Sequence, residues 1–304
     1  MLVDDCSIPS QEAEAIRSEA GRLLREAGAV GVFPTPVDEI MRTARIQVVP
    51  ISLDDNYLAL LRRKAAQAGD ALLSALSKVW GVFDPKARIA FIDPETPKEK
   101  LPFLKLHEGG HAVLPWQSIF GIFEDCRKTL DPEVKQQFER EANVFASEVL
   151  FQLDAFTSEA DDHAFGIGVP LRLARRYGAS VYATIRRYVS HSDKTCAVVV
   201  LNPAEPAEMV GYFCTVRRVI VSAAFARRFS NIAWPQTVTA DDALGRLVPV
   251  NRMTGPRTLR ITDANGDRQE MIAEAFKTPH QIFVLINATA KPARRIILPA
   301  SVTC

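Results

Sequence analysis

No run in the 304 residues approaches the roughly 18 consecutive apolar residues that a membrane-spanning helix needs. The opening stretch, "MLVDDCSIPSQEAEAIRSEAG", is acidic and lacks the apolar core of a secretory leader. Cysteine is scarce: Cys6, Cys126, Cys196, Cys214 and Cys304 are odd in number, far apart and never spaced as CxxC. That excludes a zinc knuckle and argues against a disulfide framework, so the thiols are read as free in a reducing, cytoplasmic compartment. Net charge is nearly absent as well, with Lys+Arg 37 against Asp+Glu 36 and a balance of +1. No global attraction to nucleic acid or membrane follows, although a local basic patch still can matter. Neither internal repeats nor low-complexity runs occur. What remains, 47% hydrophobic and 24% charged residues, is an ordinary globular composition long enough for two or three domains.

Periodicity divides the chain. Ile16, Ala20, Leu23, Leu24 and Ala27 recur at helical spacing, predicting an amphipathic helix over residues 11–26 that ends at Gly28. "TPVD" then places Thr35 as an N-cap for a short helix, and "RIQVVPI" reads as a strand. Residues 57–78 are rich in Ala and Leu and are expected to be helical. "WGVF" and "RIAFID" flank Asp84-Pro85 as a hairpin, and "TPKEK" announces another helix with Thr96 as its cap and a kink or restart at Pro102. "DPEVKQQFEREANVFASEVLFQ" starts a long helix at Asp131-Pro132, with Val134, Phe138, Ala142, Phe145 and Val149 as its apolar stripe. After His191 the texture becomes strand-like in "TCAVVVL", "GYFCTVRRVIVS", "TLRITD", "QIFVLIN" and "RRIILPAS", with Asn265-Gly266 as a hairpin turn. The expected architecture is α+β: a helical core with a small β-sheet over residues 1–153, a basic helical segment over 154–192, and a C-terminal α+β domain over 193–304.

The candidate chemistry lies in "FLKLHEGGHAVLPW". On a helix, His107 and His111 stand one turn apart on one face and can present two imidazole nitrogens to one metal ion at about 2.0–2.1 Å. Glu108 lies beside them without being a ligand, placed to act as base toward an attacking water. Catalytic zinc normally takes three protein ligands, so a third donor is required. The next long helix offers Glu139, with Asn143 one turn later on the same face to orient a ligand, whereas Glu141 points elsewhere, about 100° per residue around the helix. The competing reading of any one of these residues is a solvated helix charge. Gly109 and Gly110 each cost about 1 kcal/mol of helix stability relative to Ala, which suggests either a close neighbour or tolerated drift.

"LPFLKLHEGGHAVL" and "EREANVFASEVLF" resemble the motifs of the ImmA/IrrE-type metallopeptidases, and "PTPVDEIMRTARIQVV" and "ARIAFID" resemble the helix and strands before that family's active-site helix. The resemblance covers residues 28–152, and more weakly extends to 189. It implies a gluzincin-like core with Zn2+ on His107, His111 and Glu139, and Glu108 as general base. It also implies that the hairpin strand before the helix offers its edge to an extended peptide. The implied substrate is a specific protein, a transcriptional repressor cut in a stress or mobile-element response. "VLFQ" departs from the family's Leu-Leu-Met-Pro ending, Gly-Gly fills its two variable positions, and its frequent N-terminal DNA-binding module does not precede the motifs.

"LARRYGASVYATIRRYV" raises a second function. Arg172, Arg175, Arg176, Arg186 and Arg187 cluster around a Gly-containing turn in the manner of a helix-turn-helix able to touch phosphate, against the alternative of a solvated basic face. In radiation-response members of the family a similar helical extension precedes a GAF-like sensing domain. The strand-rich tail is compatible with one and with a small ligand bound there. His163, in "SEADDHAFG", is either a transition-state stabiliser or a solvated loop residue. Trp116 and Phe120 either wall the pocket or merely pack. The rival to a protease is a DNA-binding or ligand-sensing regulator whose zinc is structural or vestigial.

Overall fold

The computed structural model describes residues 8–50, 81–84, 87–117, 132–208, 210–230 and 232–288. The helix expected over 57–78, the cap Asp131, Phe120 and the strand "RRIILPAS" lie outside these. The architecture is α+β and divides into two compact units, Val3–Tyr188 and Val189–Cys304 with Met1–Leu2. The basic segment expected from residue 154 is thus part of the first unit for nearly all its length.

In the first unit, α1 (Ser10–Glu26) buries Ile16, Ala20, Leu23 and Leu24 along one stripe. The chain leaves it through Gly28 at φ +61°, a left-handed conformation that glycine adopts without steric cost. The next helix, α2 (Val37–Thr43), has no side-chain cap. Thr35 is used elsewhere: its buried hydroxyl donates to Leu150 O at 2.8 Å and accepts from Gln152 Nε2 at 3.3 Å. Gln152 also accepts from Gly31 N–H and donates to Val32 O. The residue that departs from the family's terminal Pro therefore clamps the 31–35 loop to the end of the long helix.

The small sheet has the order β1-β3-β2, with β1 (Gln47–Pro50) parallel to β3 (Ile89–Ile92) and β2 (Gly81–Asp84) antiparallel to it. The expected hairpin is present, but the strand preceding the helix, β3, is central and paired on both sides. It cannot offer an edge to a peptide, because its backbone donors and acceptors are committed to two neighbours. Among the described residues β1 and β2 are the edges.

Helix α3 (Leu101–Val113) carries Pro102 in its first turn, where a missing N–H costs no intrahelical bond, so the proline starts the helix instead of bending it. It packs against α4 (Pro132–Leu150). A Cβ on Gly110 would stand 3.1 Å from the Ala142 backbone, and one on Gly109 would stand 3.1 Å from Met41 Sδ. The two glycines thus buy close approach to α4 and α2, which explains the cost noted above.

Helices α5 (Ala155–Asp161), α6 (Gly168–Tyr177) and α7 (Val181–Ser190) complete this unit. Gly178, left-handed at φ +68°, makes the expected turn between α6 and α7. Tyr177 packs edge-on to Phe33 and Phe156. Arg187 on α7 is fully buried against α4, donating to Glu148 at 2.6 and 3.3 Å and to Leu153 O at 2.7 Å, while Arg17 of α1 reaches the same carboxylate at 3.1 Å.

The second unit is an antiparallel sheet ordered β5 (Glu205–Ala207), β6 (Gly211–Val221), β4 (Cys196–Leu201), β10 (Ile282–Ala288), β9 (Arg268–Lys277) and β8 (Met253–Thr262), with β7 (Thr237–Thr239) also pairing β6. Strand β4 is buried at every position, as its unbroken apolar run requires. The core joins β4, β9 and β10 to Phe225 and Phe229, which flank the end of the short helix α8 (Ala223–Arg228), capped by Ser222. The expected hairpin joins β8 to β9, with Gly266 at φ +86° and Asp263 accepting from the N–H groups of Asn265 and Asp267. Cys196 and Cys214 are free, buried thiols.

Candidate metal centre

The α3–α4 packing brings His107, His111 and Glu139 together, each with a donor atom within 4.8 Å of the others. His107 Nε2 lies 3.2 Å from Glu139 Oε2, and His111 Nε2 lies 3.8 Å from Glu139 Oε1. The imidazoles are perpendicular, with ring centres 5.0 Å apart. Donors around a tetrahedral ion at 2.0–2.1 Å stand roughly 3.3 Å from one another, so these separations and the two-nitrogen, one-carboxylate set fit a divalent metal such as zinc. Among the described residues this is the cluster of that kind. The Glu139 side chain is 52% exposed while both imidazoles are largely covered, which leaves the carboxylate side accessible.

Glu108 is on the same turn but buried, and burial pushes its carboxyl up to about 7, reinforced by the Glu139 charge and opposed by His107. His107 is raised from its ordinary value: burial opposes its charge, but the Glu139 contact, the Glu108 charge and the neighbouring Asn143 outweigh that. Asn143 is therefore beside the site, as the helical spacing predicts.

One neighbour, Gln117, was not identified from sequence, and Glu141 was named there only as pointing elsewhere. Gln117 meets His111 Nδ1 through its Oε1 at 2.8 Å, and Glu141, buried beneath it, accepts from Gln117 Nε2 at 2.6 Å, Trp116 Nε1 at 2.7 Å and Gln137 Nε2 at 3.1 Å. Three donors on one carboxylate explain why Glu141 faces away from the cluster, and they give Trp116 a polar task beyond packing.

The other expected residues are not gathered here. His163 is exposed in the turn after α5 and is not in the cluster. Arg172, Arg175 and Arg176 are exposed on α6, and Arg176 pairs with Glu159 at 2.8 Å and stacks over the Phe33 ring. Arg186 is half-buried. Arg187 is a correction: a guanidinium 1% exposed and fork-bound to Glu148 is an internal strut and cannot meet a phosphate.

Comparison with known proteins agrees with the helical unit. None of the curated proteins matches the sequence. A solved Mycobacterium tuberculosis transcriptional regulator is similar in fold, with a TM-score of 0.50 at 13% identity over 95% of this chain and 93% of that one. Residues 66–188 match the model of the IrrE N-terminal-like domain, a peptidase family, and span both metal-binding helices. That segment of the chain is similar to the IrrE N-terminal-like family.

Proposed function

We propose that the protein is a zinc-dependent endopeptidase that cuts a specific protein, a transcriptional repressor, in a stress or mobile-element response. The observation that carries the reading is the convergence of His107 and His111 Nε2 on the Glu139 carboxylate, with Glu108 buried on the same helical turn. Zinc held by these three side chains supplies Lewis acidity toward a peptide carbonyl and lowers the pKa of water at the site. Glu108, with an affinity for protons poised near neutrality, accepts a proton from the attacking water and returns it to the leaving amine. Helix α3 packs on β2, an edge strand, so β2 takes the peptide-pairing role first given to β3. A narrow substrate range fits one short edge strand better than general digestion.

A second reading, a DNA-binding or ligand-sensing regulator with a structural metal, is favoured by the three exposed arginines of α6 and by the regulator of similar fold. Its ligand would meet the second unit, where a cavity of about 410 Å³ is lined by Arg252, Phe276, Lys277, Thr278 and Pro279. Salt-dependent DNA affinity that falls on replacing Arg175 and Arg176, without proteolysis of any repressor, would select it.

The deciding experiment is elemental analysis of dialysed wild-type protein and of Glu139→Ala. About one zinc per chain, lost in the variant, supports the site. Zinc retained by Glu139→Ala removes Glu139 from it, and a wild-type protein that holds no metal after zinc is restored overturns the peptidase reading.

A further inference from the structure

We infer that Gln117 is the positioning residue that fixes His111 as the Nδ1–H tautomer and so turns its Nε2 lone pair toward the metal. The inference rests on the metal reading above but comes from a separate set of bonds. Gln117 Nε2 faces two groups that can only accept: the Glu141 carboxylate at 2.6 Å and Phe138 O at 3.2 Å. An amide oxygen placed there would meet two acceptors, so the NH2 end must point inward and Oε1 must point at His111. That oxygen lies 2.8 Å from Nδ1 and can only accept, so Nδ1 carries the proton. In the neutral ring Nε2 is then the acceptor, and it is the atom aimed at Glu139.

The hold on Gln117 is itself rigid. Glu141 is 2% exposed and is anchored by Trp116 from the segment after α3 and by Gln137 one turn earlier on α4. Gln137 in turn donates to Glu12 on α1 at 3.2 Å. A buried carboxylate with several donors cannot turn away, and it keeps the amide from flipping. The chain of contacts thus runs from α1 through α4 to Nδ1 of the ligand imidazole, and partners of this kind set both ring orientation and ligand basicity.

Nitrogen-15 NMR of the full-length protein reads the tautomer directly, and the five histidines of the chain keep the spectrum simple. His111→Gln assigns the signals. In wild type, zinc-free above the ring's titration and again zinc-loaded, His111 should show its proton on Nδ1. In Gln117→Leu the zinc-free ring should populate the Nε2–H form, and zinc affinity in a chelator competition should weaken about 10- to 100-fold. Because the variant also removes one of the three donors to buried Glu141, its zinc-free melting temperature should fall, so the tautomer, which a purely structural role would not move, is the discriminating readout. Nε2–H in wild-type protein, or unchanged zinc affinity in Gln117→Leu, overturns the inference, and the wild-type measurement stands even where the variant fails to fold. A wild type that binds no zinc yet keeps Nδ1–H would sink the metal reading while supporting the hold of Gln117 on His111.

Discussion

In the unit Val3–Tyr188 the buried side chains include Glu108, Glu141, Glu148 and Arg187, whereas among the described residues of Val189–Cys304 the buried polar side chains are Ser222 and Gln269. Burying an ionised group costs several kcal/mol unless partners compensate, so the first unit carries an expense that the second avoids. Two of its carboxylates are compensated: Glu148 by Arg187 and Arg17, and Glu141 by three N–H donors. Glu108 is treated differently, with burial displacing its proton affinity to about 7. A titrating group kept out of water beside two imidazoles and a carboxylate is what the proposed chemistry needs, and among the described residues such a group occurs in the first unit. The second unit spends its interior on apolar contacts and its charges on the surface, as a scaffold or sensor can.

The strongest way to break this contrast is to neutralise Glu108 alone. Glu108→Gln preserves shape and should retain about one zinc per chain, while cleavage of the proposed protein substrate should fall about 10²- to 10⁴-fold, the usual contribution of a general base. Metal content and single-turnover cleavage measured together check it. Full cleavage by this variant would place the base elsewhere and remove the reason for a buried, displaced carboxyl.

The next effect tests whether the buried ion pair is a strut. Arg187→Leu leaves Glu148 in the interior with only the partly exposed Arg17, and stability of the first unit should drop by about 3–5 kcal/mol, the cost of orphaning a buried charge. Denaturant unfolding followed by tryptophan fluorescence, with Trp80 and Trp116 in the span of the first unit and Trp234 in that of the second, should show an early transition for the first unit and an unchanged one for the second. An Arg187→Leu protein as stable as wild type would mean the guanidinium is surplus to the fold, and the buried pair would lose its role as a strut.

Much of the site was legible because it is local. His107, Glu108 and His111 lie within two turns of one helix, and Glu139 and Asn143 lie one turn apart on another, so a period of 3.6 residues places each set without knowledge of the rest of the fold. What was not legible depends on contacts between distant segments. Gln117 reaches His111 only because the chain turns out of the helix at Leu114, whose ψ of 115° is extended. Arg187 looked like one more surface cation, since sequence counts charge but not burial, and its partner Glu148 is 39 residues away. The edge role that the family resemblance implied for the strand before the helix could not be checked from sequence for the same reason: the hairpin with β2 is a short-range signal, while the parallel pairing with β1, Gln47 to Ile89, joins strands 42 residues apart. Thr35 followed the sequence rule for a cap and was overridden by a tertiary acceptor, Leu150 O.

The subtlest difference between the units is the direction in which pH moves them when no metal is bound. In the folded first unit Glu108 holds its proton up to about 7, against an ordinary value of 4.5, so between these pH values the folded chain carries a proton the unfolded chain has lost. Stability therefore falls as pH rises through that window. His107, raised above 6.5 chiefly because Glu139 and Glu108 outweigh its burial, adds to the fall, since its stabilising charge is lost as pH rises through the folded value. In the second unit the shifted acids move the other way. Backbone N–H groups hold Asp242 and Asp263 below the ordinary 3.8, against opposing desolvation, so their contribution is present above that value and is lost as pH falls. Melting of the zinc-free protein from pH 5 to 8 should thus lower the transition of the first unit, by on the order of 1–3 kcal/mol, and leave the second flat. Zinc should cancel the slope, because metal binding requires the deprotonated ligands that high pH supplies. A first unit that gains stability with rising pH in the absence of metal would show that Glu108 is ionised in the fold, and the division of charge between the two units would lose its chemical meaning.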